Sequence, residues 1–201
     1  MADPLRRPAG WAEILAAPEG VEAEVIAGEL WTHPRPRPVH GRVQHLLGGA
    51  VGFPFDLGIG GPGGWWIVSE PDISFAPHDI VNPDVAGWRR ERVPVFPEER
   101  PVAVRPDWVC EILSPSTARR DRHDKSNLYL RHSVPWYWLI DTDARLLQAF
   151  EALAGRWVLL GTWGDTDLAR VPPFDAVELV VGNLFPPQRA AVSSESDQET
   201  P

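Results

Sequence analysis

Lys125 is the only lysine in this chain; with 19 basic residues in all, the other 18 are arginines. A sequence that uses arginine everywhere else has kept one compact ammonium, an exception that calls for a reason. Upstream of it stands Glu111, a lone carboxylate inside the apolar run Trp108-Val109-Cys110-Glu111-Ile112-Leu113. A carboxylate buried there needs a cation, a hydrogen-bond donor or a metal ion. Two further acids sit in similar surroundings. Glu24 lies among Val21, Ala23, Val25 and Ile26, and Asp84 follows a proline in Asn82-Pro83-Asp84-Val85-Ala86. Four such groups could build an ion-pair network or offer hard oxygen ligands to a divalent cation.

These groups act together only if the chain positions them. Residues 108–113 alternate faces as a strand bounded by Pro106 and Pro115, which puts Glu111 on one face with Val109 and Leu113. Ser116 and Thr117 suit a helix N-cap. The run to about His132 then carries Asp121, Lys125, Leu128, Tyr129 and His132 on one side. Val134-Pro135 ends it, and residues 136–140 form a second apolar strand stopping at Asp141. Strand, helix and strand of these lengths predict a βαβ unit with parallel strands and a right-handed crossover.

In that unit Lys125 lies roughly 12 Å down the helix axis, and Glu111 roughly 7 Å back along its strand. A lysine side chain spans the difference. Two arrangements remain open on spacing alone. Lys125 either reaches Glu111, or pairs with Asp121 at i and i+4 on a solvated face, a contact worth only about 0.3–0.5 kcal/mol. Likewise Glu111 and Glu24 are either buried or exposed on edge strands, and Asp84 either caps a turn or serves as a ligand.

The remaining chain reads as short strands and turns. A short helix over 11–17 precedes an alternating strand pair over 22–31 with a bend at Gly28. Pro34, Pro36 and Pro38 make an extended connector into a helix over 39–51. Residues 65–75 and 80–88 read as one hairpin turning at 76–79, and 89–105 is a charged, proline-rich excursion. A second hairpin spans 146–162 around Gly155, and 174–181 adds a short segment. Gly58-Ile59-Gly60-Gly61-Pro62-Gly63 fits the spacing of a dinucleotide-binding fingerprint, but Trp65-Trp66-Ile67-Val68 after it is a strand where that motif needs a helix. No serine-hydrolase elbow, zinc-protease motif or P-loop occurs.

At 201 residues the chain can bury one full core. Expected boundaries are an arm over 1–10, a single domain over 11–185 and a disordered acidic tail over 186–201. One cysteine, Cys110, excludes a disulfide scaffold and suits a reducing cytoplasm. No apolar run is long enough to span a bilayer. A net charge of −9 argues against a general nucleic-acid coating protein. Basic residues still cluster locally, as His33, Arg35, Arg37, His40 and Arg42, and as Arg119, Arg120, Arg122 and His123.

Pro83-Asp84, the strand acid in Val109-Cys110-Glu111-Ile112-Leu113-Ser114-Pro115-Ser116-Thr117, then Asp121, Lys125, Tyr129 and the closing Val134-Pro135-Trp136-Tyr137-Trp138-Leu139-Ile140-Asp141 together resemble the Uma-type endonucleases of the PD-(D/E)XK superfamily. Glu24 through Leu30 and His40 are similar to that family's N-terminal pattern, and the likeness spans about residues 11–160. It implies an α/β (α+β) restriction-endonuclease-like core, a central mixed β-sheet flanked by helices. It further implies a DNA endonuclease whose Mg²⁺ or Mn²⁺ is held by Asp84, Glu111 and the Ile112 carbonyl. Lys125 would act as catalytic lysine, and Glu24 would complete the metal shell or hold a second ion through water. Substrate contacts would come from His40, Arg119, Arg120, Arg122 and Tyr129, and a homodimer is implied as well. Two positions depart from the pattern: the superfamily lysine two residues after the second acid is Leu113 here, and Trp136 stands where relatives carry an acid.

Overall fold

β-branched and aromatic side chains dominate the apolar runs of this chain, and most of those runs are strands in a computed structural model that describes residues 7–34, 37–115 and 117–187. After the short helix α1 (Trp11–Leu15), β1 (Val21–Ile26) and β2 (Glu29–Pro34) form an antiparallel hairpin. Its two-residue turn is Ala27-Gly28, both at positive φ (52° and 79°), the twist a tight hairpin requires. Helix α2 (Pro38–Val51) starts on a proline at its first position, where the missing N–H costs nothing. It runs on into a single wide turn at Gly52–Asp56.

The stretch expected to be one hairpin is instead broken in two. β3 (Trp65–Ser69) pairs with β6 (Val85–Arg89), whereas β4 (Ile73–Ala76) pairs with β5 (Asp79–Val81) in a separate sheet. The break falls where Pro71 and Pro83 lack ladder donors and Glu70 takes a positive φ of 52°. Asp84 sits at that break.

β7 (Trp108–Leu113) and β8 (Trp136–Asp141) are parallel, in register Glu111↔Leu139, as the βαβ reading requires. The connecting helix departs from expectation. It comprises α3 (Ala118–Arg120), one π turn (Asp121–Lys125) and α4 (Ser126–Arg131). β9 (Leu146–Leu153) and β10 (Arg156–Trp163) complete a six-stranded sheet in the order β10-β9-β8-β7-β6-β3. β1 and β2 with β4 and β5 make a four-stranded sheet, and β11 (Leu168–Ala169) pairs with β12 (Leu179–Val180), so the segment expected at 174–181 is strand only at its end.

The six-stranded sheet is covered on both faces. Trp108, Cys110 and Ile112 point toward α2 (Val43, Leu47, Val51) and a C-terminal cap of Phe174, Leu184 and Phe185. Val109 and Leu113 point the other way, toward Leu128 and Tyr129 of α4. Ile26, Ile73 and Val81 of the smaller sheet close the same cluster. Glu111 shares this second face, so β7 is no edge strand and its carboxylate is roofed over. The expected arm and tail lie mostly outside the described residues, as do Arg35, Pro36 and Ser116.

Candidate active site

Lys125 Nζ lies 2.7 Å from Glu111 Oε1 and 2.9 Å from Glu24 Oε1, and donates to the Asn82 carbonyl at 3.2 Å. All three side chains are at most 3 % exposed, which decides the two open arrangements against a solvated surface pair. The π turn contributes, since an i→i+5 turn carries one more residue than an α turn. It holds Asp121 and Lys125 both buried, with Asp121 backed by the hydroxyl of Tyr137, which donates to its carbonyl at 2.9 Å.

Asp84 stands beside this network. Its Oδ2 accepts from the Ile112 N–H at 2.6 Å and its Oδ1 lies 2.8 Å from His40 Nε2. Asp84 is thus tied to the strand residue next to Glu111 and lines one small pocket with Glu111, Asp121, Lys125, His33, His40 and Arg120. The pocket's free volume is about 30 Å³, room for one or two waters. Phosphate can reach it only from its mouth. The cavity of about 260 Å³ lined by Leu46, Phe55, Trp138 and Phe174 is roomier, but its walls are mainly apolar, with Glu178 and Asn183 the polar side chains in its lining.

The electrostatics follow from four acids enclosing one ammonium. Burial works against the Lys125 charge, but Glu111, Glu24, Asp121 and Asp84 outweigh it and hold the amine above its ordinary range. Burial pushes Glu111 well up, against Lys125 and helped by its acidic neighbours. Asp121 is raised to about 6, first by burial. Glu24 feels the same burial, yet Lys125, Arg120 and the Asn82 N–H (2.9 Å) bring it below its usual value. His40 is desolvated but raised by Asp84.

Ile112 and the acids Asp84, Glu111 and Asp121 all line the pocket. Such a set, with negative charge in excess, fits a hard divalent cation, which takes one or two protein carboxylates and keeps several waters. Among the described residues no three His, Cys, Asp or Glu side chains already converge on one point.

Other expected contacts distribute differently. Tyr129 is fully buried and its hydroxyl donates to Glu111 Oε1, so it braces the acid rather than facing a substrate. Arg120 lines the pocket, with Nη2 3.4 Å from Glu24 Oε2. Arg122 is turned to Asp141 at 2.7 Å, and Arg119 is exposed outside the pocket. Of the other basic cluster, His33 and His40 reach the pocket while Arg37 and Arg42 stay exposed.

Two participants escaped the sequence reading, and a third, His33, was read only as part of a basic cluster. Asn82 bridges Glu24 and Lys125, and Gln44 donates to the Asp84 carbonyl at 2.9 Å. His33 lies 3.4 Å from Glu22 and 3.8 Å from Glu24. Gln44 had a signal in its i, i+4 spacing from His40, and His33 in its place opposite Glu22 across the hairpin.

The sequence matches the Uma2 family, described as "Putative restriction endonuclease", over residues 11–182. The chain belongs to the Uma2 family. A crystal structure described as a putative nuclease belonging to DUF820, from Anabaena variabilis ATCC 29413, shares the fold. Its TM-score is 0.66 at 24 % identity, covering 89 % of this chain and 98 % of that one. No curated protein matches the sequence. Among the described residues no helix of this Uma2 protein is long and apolar enough to cross a membrane.

Proposed function

We propose that this Uma2 protein is a metal-dependent endonuclease that hydrolyses DNA phosphodiester bonds at the Asp84, Glu111 and Lys125 pocket. The observation that carries the reading is the single lysine sealed at 2.7 Å from the strand acid, beside an aspartate tethered to the next residue. Mg²⁺ or Mn²⁺ bound between Asp84, Glu111 and the Ile112 carbonyl would lower the pKa of a water and offset phosphate charge. The protein's own part is positional. His40 and the Ile112 N–H fix the Asp84 carboxylate, and Tyr129 fixes Glu111. Lys125 presents a permanent positive charge to the anionic transition state. As the water oxygen bonds to phosphorus its proton passes to the Asp121 carboxylate, whose raised value of about 6 leaves it ionised and basic near neutral pH. The P–O3′ bond breaks, and the 3′-oxygen takes a proton from solvent, leaving a 5′-phosphate and a 3′-hydroxyl. Arg120 and Glu24 order the pocket's far wall. A reducing cytoplasm suits the lone thiol, and a homodimer would bring two such sites to two strands.

A second reading, a module that binds nucleic acid or a partner without cutting, draws on the three acceptors that occupy all three Lys125 N–H groups. The test uses Asp84→Asn, whose amide oxygen still accepts from the Ile112 N–H while its amide N–H donates to a neutral His40 Nε2. Truncating Lys125 instead would strand two buried acids and cost about 3–5 kcal/mol of stability. Wild-type protein with Mg²⁺ or Mn²⁺ is expected to nick supercoiled DNA. The asparagine variant should lose about 10²–10³-fold in rate and most of its calorimetric Mn²⁺ binding, with an unchanged melting temperature. Nicking by the variant at the wild-type rate would remove Asp84 from the chemistry. Absence of both metal binding and nicking in the wild type would favour the second reading.

A further inference from the structure

A cleft of about 690 Å³ opens beside the pocket, between β2 and the α3–α4 helix, and shares His33 and Arg120 with it as a common wall. Its other conspicuous groups are Trp31, Arg119, Asn127 and Arg131. Strand register explains the tryptophan. Trp31 lies directly across the hairpin from Glu24, so it shares the site-facing side of β2 with His33. It is 37 % exposed, and among the described residues its ring has no aromatic or cationic partner. Arg119 is exposed, Arg131 is half-exposed although it touches Asp79, and Arg120 Nε is buried without a hydrogen-bond partner among the described residues. Glu29 and Asp124 also line the cleft, so basic groups outnumber acids there while the chain as a whole is acidic.

We propose that this cleft holds an unpaired stretch of DNA running out of the active site, one base stacked on Trp31 and the flanking phosphates on Arg119 and Arg131. A duplex hides its base faces within its own stack. Only an unpaired base can offer a face to a ring in a concave wall, and backbone charge then does the rest. The inference rests on the nuclease reading for what the strand does there, but binding can be measured without any cutting.

Fluorescence anisotropy of a labelled mixed-sequence single strand, in EDTA and with the full chain, tests it. Trp31→Ala should weaken binding about 5- to 100-fold, and Trp31→Phe should restore most of it. Arg119→Ala should lower the slope of log affinity against log salt by about 0.7, one phosphate contact on a single strand. Arg156→Ala, on the distant edge strand β10, should change neither. Equal binding by Trp31→Ala and wild type, or equal Trp31 dependence for the matching duplex, would overturn the cleft assignment. The nuclease reading fails separately. Binding that follows Trp31 without cleavage under Mn²⁺ would leave the cleft standing and the catalysis not, whereas cleavage indifferent to Trp31 would do the reverse.

Discussion

A carboxylate kept out of water and among other carboxylates holds its proton more tightly than the same group in an unfolded chain. For Asp121 the raised value of about 6 against an ordinary 3.8 means the folded state binds more protons between those limits. Stability from this group therefore falls as pH rises from about 4 to above 6, the opposite of a salt-bridged acid. The full difference is about 3 kcal/mol. In EDTA, urea unfolding at pH 7.5 should find Asp121→Asn up to about 3 kcal/mol more stable than wild type, and the gap should close by pH 4. A gap between variant and wild type that does not widen as pH rises through the same interval would contradict the burial of this acid. The residue scale is also where sequence reading gained and lost most. Depth along helix and strand put Lys125 within reach of Glu111. Spacing alone nevertheless favoured an exposed pair with Asp121, because the roof over the site comes from Ile26, Ile73 and Val81, distant in sequence. The same blindness made Tyr129 look like a substrate contact. Its place on the helix was legible, but the direction in which that face was buried was not.

At the scale of elements, the connecting helix owes its function to a defect. A π turn inside an α-helix is less stable than the regular turn it replaces and persists where tertiary contacts demand it. Here Lys125 at its end is held by Glu24 and Glu111, and Tyr137 holds Asp121 at its start. Deleting the exposed His123 should convert the segment to a continuous α-helix, as insertion of one residue is what makes the wide turn. Far-UV circular dichroism should keep its helical amplitude, while plasmid nicking falls by at least the loss expected for Asp84→Asn, because Asp121 and Lys125 can no longer both face the acids. Retained nicking would show that the wide turn is incidental. No residue type announces such a turn, so it could not be read in advance. The break at Pro71 and Pro83 did carry a signal that the reading of one hairpin passed over, since two prolines facing each other across paired strands leave no ladder to continue. The βαβ unit and both tight hairpins were legible because alternation, caps and turn residues agree there.

Over the whole molecule, the two-faced sheet leaves Cys110 at its centre, fully buried between β6 and β8. Burial, with Asp84 and Glu111 adding to it, pushes the thiol well above its ordinary range, and a protonated, enclosed thiol is inert. An aromatic disulfide reagent should therefore label the native chain no faster than it unfolds, and the labelling rate should follow urea concentration with the slope of global unfolding. Fast labelling in native buffer would mean that the strands on either side of Cys110 separate locally. The single ε-amine has a matching fate. Enclosed by Glu24, Glu111 and Asn82, it is withheld from acylating dyes, so beyond the chain terminus the native surface offers such reagents nothing to bond. A label found on Lys125 would be a direct record of the site having opened.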